Sequence, residues 1–230
     1  MRVLGVIPAR GNSKSVPRKN LAMLCGKPLV QWTMETAEAS GLLPNGLDAG
    51  VVSTDDSEIM HLCLMLAGTF LWRPPRLCND DTPTLPVLQH ALNNREKKGM
   101  AFDAVMCLQP TNPLRTTDDI CGAIDLMERT GCDSVISFTP CSDAHPSRMC
   151  QLDGDKVPPQ DFTRRQDLPP YYLRDGSVYL VKREVLMAGS MTGGDCRAWI
   201  IPRERHCNID GPEDLELAEV RMRRLLQCAS

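Results

Sequence analysis

Short apolar runs alternate with segments of helical length along this chain, and that alternation restricts the fold more than any other feature. Leu4 to Pro8 is a continuous apolar run, as expected of a strand covered on both faces, and a polar, basic loop follows from Ala9 to Asn20. A helix is expected from Pro28 to Ala39, since proline suits a first helical turn. The same succession recurs: a strand over Ala49–Val52, a helix over Asp56–Ala67, a strand over Phe102–Leu108, a helix over Asp118–Arg129 and a strand over Ser134–Phe138. Strands alternating with helices in this order predict an α/β fold with a doubly wound, mostly parallel sheet. Ligands of such sheets sit at the carboxyl ends of the strands, so the loops after Pro8, Ser53 and Leu108 are expected to share one crevice.

Between residues 140 and 170 the rhythm breaks. Pro146, Pro158, Pro159, Pro169 and Pro170 fall among polar residues and no helical period persists, which reads as an insertion. Regular structure resumes with a strand over Ser177–Val181, a short helix, a strand over Ala198–Ile201 and a last helix over Pro212–Leu226, whose first turn carries Glu213 and Asp214, favourable for the helix dipole. With 230 residues the chain is expected to form one domain over 1–230, with 140–170 inserted in it.

Composition removes several classes. Lys and Arg number 26 against 29 Asp and Glu, a net charge of −3, so there is no global electrostatic footprint for nucleic acid. Aromatic residues, the stacking platforms of single-strand binders, make up only 4%. The longest apolar stretch, Ile59 to Trp72, is too short to span a bilayer, which takes roughly 18 residues or more, and Met1–Pro8 reads as a first strand with no leader-cleavage pattern. No membrane association and a cytoplasmic location are expected. The 11 cysteines include no C-x-x-C pair, and the four histidines show no zinc-ligand spacing, so buried free thiols are expected in place of disulfides or a zinc site.

The chemistry concentrates in the first loop. Arg10, Lys14, Arg18 and Lys19 lie within ten residues of one another at the end of a core strand, with Gly11 to admit a close anion and Ser13 to donate a hydrogen bond. Such a loop suits a polyphosphate and can stabilise charge developing on a pyrophosphate leaving group. It is neither a G-x-x-x-x-G-K-[ST] loop nor a G-x-G-x-x-G turn, and Gly11-Asn12-Ser13-Lys14-Ser15 misses the G-x-S-x-G nucleophile elbow.

Ile7-Pro8-Ala9-Arg10-Gly11-Asn12-Ser13-Lys14, continuing to Pro17-Arg18-Lys19-Asn20 and Gly26-Lys27-Pro28-Leu29, resembles the N-terminal signature of the cytidylyltransferases that activate acidic sugars, the CMP-N-acylneuraminate (CMP-sialic acid) synthetase family. Further blocks follow in family order: Val52-Ser53-Thr54-Asp55-Asp56, Arg73-Pro74, Leu108-Gln109-Pro110-Thr111-Asn112-Pro113-Leu114-Arg115, Arg164-Arg165-Gln166-Asp167-Leu168-Pro169, Asp175-Gly176-Ser177-Val178-Tyr179 and Ile209-Asp210-Gly211-Pro212-Glu213-Asp214-Leu215. The resemblance spans essentially the whole chain. It implies a Rossmann-like domain with a small extension that builds a homodimer, and a reaction of CTP with an acidic nine-carbon (nonulosonic) sugar to give CMP-sugar and pyrophosphate with Mg²⁺ or Mn²⁺. By the same resemblance, Arg10, Asn12, Ser13, Lys14, Lys19, Asn20, Arg73 and Thr82 would bind the nucleotide, while Gln109, Arg148, Arg165 and Tyr179 would serve the sugar. Arg10, Lys19 and Asp210 would carry catalysis, and Asp210 with Asn208 would hold the metal.

Two positions depart from the family. Asn208-Ile209-Asp210 stands where the family usually has Asp-Ile-Asp, so one of two carboxylates on the same face becomes a neutral amide. Asp210 could alternatively cap the Pro212 helix. In Tyr172-Leu173-Arg174-Asp175-Gly176-Ser177, the arginine is shifted by one position and the family's Asn is Asp175. On a strand such a shift turns Arg174 to the opposite face. The alternatives to the acylneuraminate reading are a relative that uses another acid such as 3-deoxy-manno-octulosonate, and a non-catalytic paralogue that binds a nucleotide sugar.

Overall fold

The computed structural model describes residues 1–13, 15–42, 50–141, 145–160 and 162–228, with the side chains of Arg165 and Cys228 excepted. In chain order the strands are β1 (Val3–Pro8), β2 (Met23–Leu24), β3 (Lys27–Pro28), β4 (Gly50–Thr54), β5 (Phe70–Trp72), β6 (Ala104–Cys107), β7 (Ser134–Cys141), β8 (Tyr171–Lys182) and β9 (Cys196–Ile200). The helices are α1 (Leu29–Ala39), α2 (Ser57–Met65), α3 (Thr84–Glu96), α4 (Thr117–Thr130), α5 (Arg183–Met187) and α6 (Pro212–Cys228). Seven strands form one sheet in the order β5-β4-β1-β6-β8-β7-β9, and all neighbours pair in parallel except β8, which is antiparallel to β6 and β7. The sheet is the mostly parallel, doubly wound one expected, with one strand reversed.

Period-two alternation sends the central strands' side chains to two faces. On one face Ile7, Val52, Met106 and Leu180 meet Met34 of α1, Ile59 of α2 and Ile120 and Met127 of α4. On the other, Leu4, Val6, Val105 and Val181 meet Leu88 and Leu92 of α3 and Leu186 of α5. A third cluster joins Leu24, Leu29, Leu114, Cys207 and Ile209 to Ala218 and Met222, which seats α6 against the β2–β3 hairpin. That hairpin turns through Cys25 and Gly26 with both φ values positive, as a two-residue type I′ turn requires.

Several boundaries differ from the expectations. The expected strand over Ala49–Val52 begins at Gly50 among the described residues. Pro140 and Cys141 belong to β7, and β8 starts at Tyr171, well before Ser177. The two strands run on together as an antiparallel ribbon, Phe138 to Cys141 against Tyr171 to Arg174, beyond an irregularity at Ile136/Phe138. On it Tyr171, Tyr172 and Leu173 are about half exposed, at 45%, 49% and 49%. Among its described residues the segment between holds short 3₁₀ turns and one isolated bridge, Asp153 to Lys156, in keeping with its prolines. All ten cysteines whose side chains are described are free, but only Cys63, Cys107, Cys132 and Cys207 are buried; Cys121, Cys150 and Cys196 are exposed. No helix among the described residues is long and apolar enough to cross a membrane.

Candidate active site

A cavity of about 250 Å³ opens at the carboxyl ends of the parallel strands. Pro8, Arg10 and Ser13 come from the loop after β1, with Lys19 and Asn20 from its end. Gln109, Pro110 and Thr111 come from the loop after β6, and the opposite wall is Arg73, Leu77, Asn79, Asp80 and Thr82 from the segment between β5 and α3. The crevice is the one expected from the loops after β1 and β6. The loop after β4 has a different task. Asp55 Oδ1 accepts from the Gly11 N–H at 2.8 Å, and a Cβ on Gly11 would lie 2.7 Å from Asp56 Oδ2. The anion that Gly11 admits is therefore the protein's own carboxylate.

The cations of the first loop divide accordingly. Arg18 is bound to Asp56 at 2.8 Å and Glu58 at 2.7 Å, at the start of α2, so it ties the loop to that helix. Arg10 faces the cavity and pairs with Asp80 across it at 2.8 Å, both side chains about 30% exposed. Lys19, 12% exposed, donates to the Ile209 carbonyl at 2.8 Å, and its Nζ lies 3.5 Å from Asp210 Oδ1. Asn20 is buried and donates to the Arg10 carbonyl at 2.8 Å, which fixes the loop's path. Lys14 lies outside the described residues.

Arg73 is buried, its Nε donating to Ser53 Oγ at 3.1 Å and its Nη2 to the Ser53 carbonyl at 2.8 Å. Burial lowers its pKa, yet an arginine keeps its proton at neutral pH. It thus ties the β5 edge to the end of β4 while facing the cavity. Arg115 holds the other wall. Its Nη2 donates to the Gln109 carbonyl at 2.8 Å and its Nε to the Ser177 carbonyl, so the loop after β6 is fastened to β8. Burial pushes this guanidinium down to about 10, against the opposing pull of Cys107, Asp175 and Asp119, and Nη1 finds no hydrogen-bond partner among the described residues. Arg115 stands in the quoted 108–115 block, but only the fold reveals which carbonyls it holds.

Asp210 sits just ahead of α6. Its carboxylate is 73% exposed and accepts from Asn208 Nδ2 at 2.6 Å. The capping task falls to Asp214, whose Oδ2 accepts from the Asp210 and Gly211 N–H groups at 2.9 and 2.7 Å. Asp210 is left to face solvent and Lys19. Among the described residues no three or more His, Cys, Asp or Glu side chains cluster as a metal cage.

The remaining expectations separate. Gln109 and Thr82 line the cavity, whereas Asn12 is exposed and does not. Tyr179 is half-buried and packs against the cluster of Leu4, Val6 and Leu88, and burial raises its pKa. Arg148 is exposed in a 3₁₀ turn, Arg165 lies in another with its side chain outside the description, and Arg174 is exposed opposite Phe138. A contact that sequence reading missed is His206 Nδ1 against Asp175 Oδ2, at 2.6 Å, with the carboxylate fully buried.

A family model described as cytidylyltransferase matches residues 4–183. The chain is 34% identical over 189 residues to the CMP-N,N'-diacetyllegionaminic acid synthase of Legionella pneumophila, covering 78% of each. It is 28% identical over 228 residues to the pseudaminic acid cytidylyltransferase of Campylobacter jejuni, covering 96% of each. To the N-acylneuraminate cytidylyltransferase of Streptococcus agalactiae it is 29% identical over 220 residues, spanning 93% of this chain but about half, 52%, of that protein. In fold it resembles a CMP:2-keto-3-deoxy-manno-octonic acid synthetase solved with CTP, with a TM-score of 0.71 at 19% identity over 99% of this chain and 100% of that one.

Proposed function

We propose, from the premise that this chain belongs to the cytidylyltransferase family, that it transfers the CMP unit of CTP to the anomeric hydroxyl of a nonulosonic acid and releases pyrophosphate. The observation that carries this reading is the convergence of Arg10, Ser13, Lys19, Asn20, Arg73, Thr82 and Gln109 on one cavity with Asp210 beside Lys19. The named activities of the relatives support the sugar class.

In this reading the sugar hydroxyl attacks the α-phosphorus, a bond to the α-phosphate forms, and the bond to the pyrophosphate oxygen breaks. Little covalent work falls to the protein; positioning and charge neutralisation dominate. Arg10, Ser13, Lys14 and Lys19 receive the triphosphate, and Arg73 with Thr82 flanks the cytidine, while Asn20 keeps the loop in shape. Asn12, exposed beside the cavity, reaches the nucleotide from its rim. Gln109 orients the sugar from the wall shared with Thr111. Asp210 accepts the proton of the attacking hydroxyl.

The donor set ahead of α6 fits magnesium or manganese of a particular kind. Mg²⁺ keeps several waters and is held by one or two carboxylates together with substrate phosphates. One exposed carboxylate, Asp210, suits an ion that comes with the triphosphate, and Asn208, whose amide nitrogen donates to Asp210 here, would bring its oxygen to that ion once its amide turned over. When bound, it would neutralise charge on the phosphate oxygens. Asp210→Asn is expected to weaken the magnesium dependence about tenfold or more, and Asn208→Asp to strengthen it. Magnesium titrations of the rate that do not move in either variant would remove this assignment.

Residues 1–230 would act as one catalytic unit, with 140–170 as the dimerisation and sugar-site insertion. The half-exposed Tyr171, Tyr172 and Leu173, with Met149, Val157 and Phe162 exposed nearby in sequence, supply the apolar surface a homodimer needs. Arg148 and Arg165 would then offer guanidinium groups to the carboxylate of the sugar in the partner's site, and Tyr179 would act on the sugar only through the strand it stiffens.

The test is pyrophosphate release from CTP and magnesium with N-acetylneuraminate, legionaminate, pseudaminate and 3-deoxy-manno-octulosonate in turn. Release with a nine-carbon acid and not with the octulosonate is the expected result. Release with the octulosonate alone would move the enzyme to that substrate. No release with any acid, together with thermal stabilisation by CTP, would make the chain a nucleotide-binding paralogue.

A further inference from the structure

The Asp175–His206 contact draws three chain segments together at the wall that carries Gln109. Asp175 is on β8, and its carboxylate, 0% exposed, accepts from the Ser177 N–H at 3.0 Å through one oxygen and faces His206 Nδ1 at 2.6 Å through the other. A desolvated carboxylate needs such donors, so Nδ1 carries a hydrogen here. His206 belongs to the segment that leads to Asp210. Asn112, from the loop after β6, is buried between the two. With its amide nitrogen turned to the carbonyls on either side, it donates to the Asp175 carbonyl at 2.9 Å and to the Cys207 carbonyl. Two residues on, the Ile209 N–H donates to the Thr111 carbonyl at 2.9 Å.

Gly176 makes the spacing strict. Its φ is +91°, and a Cβ there would lie 3.0 Å from the Asn112 side-chain amide and 3.2 Å from Gln109 Oε1. The β8 backbone therefore leaves little room for a side chain between itself and Gln109, the residue assigned to the sugar, and whatever fixes residues 175–177 fixes that spacing.

We infer that Asp175, His206 and Asn112 form a positioning clamp that sets Gln109 and the Asp210-bearing segment in register for the sugar acid, without touching either substrate. It accounts for the departure at position 175: an Asp in place of the family's amide is matched by a histidine that donates to it. The inference rests on the cytidylyltransferase reading for its effect on turnover, but not for its effect on structure. On that reading CTP is held by the loop after β1 and by the wall from Arg73 to Thr82, and among the described residues no side-chain hydrogen bond joins Asp175, His206 or Asn112 to either.

Asp175→Ala and His206→Ala are compared with the wild type in kinetics and in amide hydrogen exchange. Displacement of a positioning wall by about 1 Å costs on the order of 100-fold. Accordingly, kcat/KM for the sugar acid is expected to fall about 10- to 100-fold while KM for CTP stays within about twofold. His206→Asn, whose amide nitrogen can occupy the place of Nδ1, should return most of the loss, and His206→Gln should not. If the alanine variants fail to fold, this Asn/Gln pair still decides the matter. In exchange, the Ile209 amide should lose protection in Asp175→Ala while the amides of β1 and β4 keep theirs. Equal losses for both substrates, equal behaviour of the Asn and Gln variants, or an unchanged Ile209 amide would overturn the clamp. A wild-type protein that releases no pyrophosphate would sink the proposed function instead, and the exchange comparison would still judge the clamp.

Discussion

Lys19→Ala is expected to lower kcat by about 100- to 1000-fold with little change in the melting temperature, the range seen when one preorganised charge stabiliser is removed. Lys19 joins the two halves of the candidate site. It comes from the loop after β1, is nearly buried, and reaches across to the Ile209 carbonyl and the Asp210 carboxylate. Its charge is thus fixed before any ligand arrives, which is what makes an electrostatic group effective in a transition state. An interaction made only there lowers kcat and kcat/KM alike, whereas one made equally with bound CTP would raise KM and spare kcat. Steady-state rates over a CTP series separate the two. A kcat within about threefold of wild type, with the fold intact, would remove Lys19 from the chemistry.

The second large effect concerns stability. Asp119 is 1% exposed in the first turn of α4, where its carboxylate accepts from the Thr116 N–H at 2.8 Å, from Trp199 Nε1 at 3.1 Å and from both terminal nitrogens of Arg205. Asp119→Ala strands the half-buried Arg205 guanidinium and the indole N–H together. Breaking a buried pair from one side costs about 3–5 kcal/mol, or on the order of 10 °C of melting temperature in a chain of this size. Burial alone would raise the Asp119 carboxyl, but the hydrogen bonds from Arg205, Thr116 and Trp199 outweigh it and hold its pKa below the ordinary value. A folded-state pKa lower than the unfolded one gives stability that is present above the unfolded value, near 3.9, and is lost as pH falls through the folded value. The wild type should therefore lose part of its stability in acid below about pH 4, and Asp119→Ala should show a shallower loss there. Melting curves from pH 2 to 7 check both. Parallel curves for the two proteins would dismiss the network as a stabiliser.

How far the sequence revealed this molecule depends on the distance over which each feature is encoded. β1 and its loop, the strand before Gln109 and the helix after Pro212 are written in contiguous residues, and the fold has them where expected. β5 and α3 were not anticipated. β5 has three residues, and α3 opens with Thr84-Leu85-Pro86, a proline-bearing start that resembles a loop, while Gln89, His90, Asn93 and Asn94 dilute its buried face of Val87, Leu88, Ala91 and Leu92. The reversal of β8 was equally hidden, because Val178, Leu180 and Val181 are buried and a continuous apolar run carries no direction. Partner choices lay furthest out of reach. In sequence Arg18 is one of four cations in the first loop, and only the fold brings Asp56 and Glu58 to it; nothing local links Asp175 to His206 across the intervening chain.

The ion pair of Arg10 with Asp80 gives the resting cavity an internal counter-ion. An arginine loses rotamer freedom worth up to about 2 kcal/mol when it is ordered, and here the carboxylate has ordered it beforehand. Under the proposed function, nucleotide entry would be an exchange of one anion for another at an already oriented guanidinium. A polyphosphate can displace a single carboxylate; an uncharged nucleoside has nothing to offer in its place. On that reading the pair would filter entrants by charge before their bases or sugars are read.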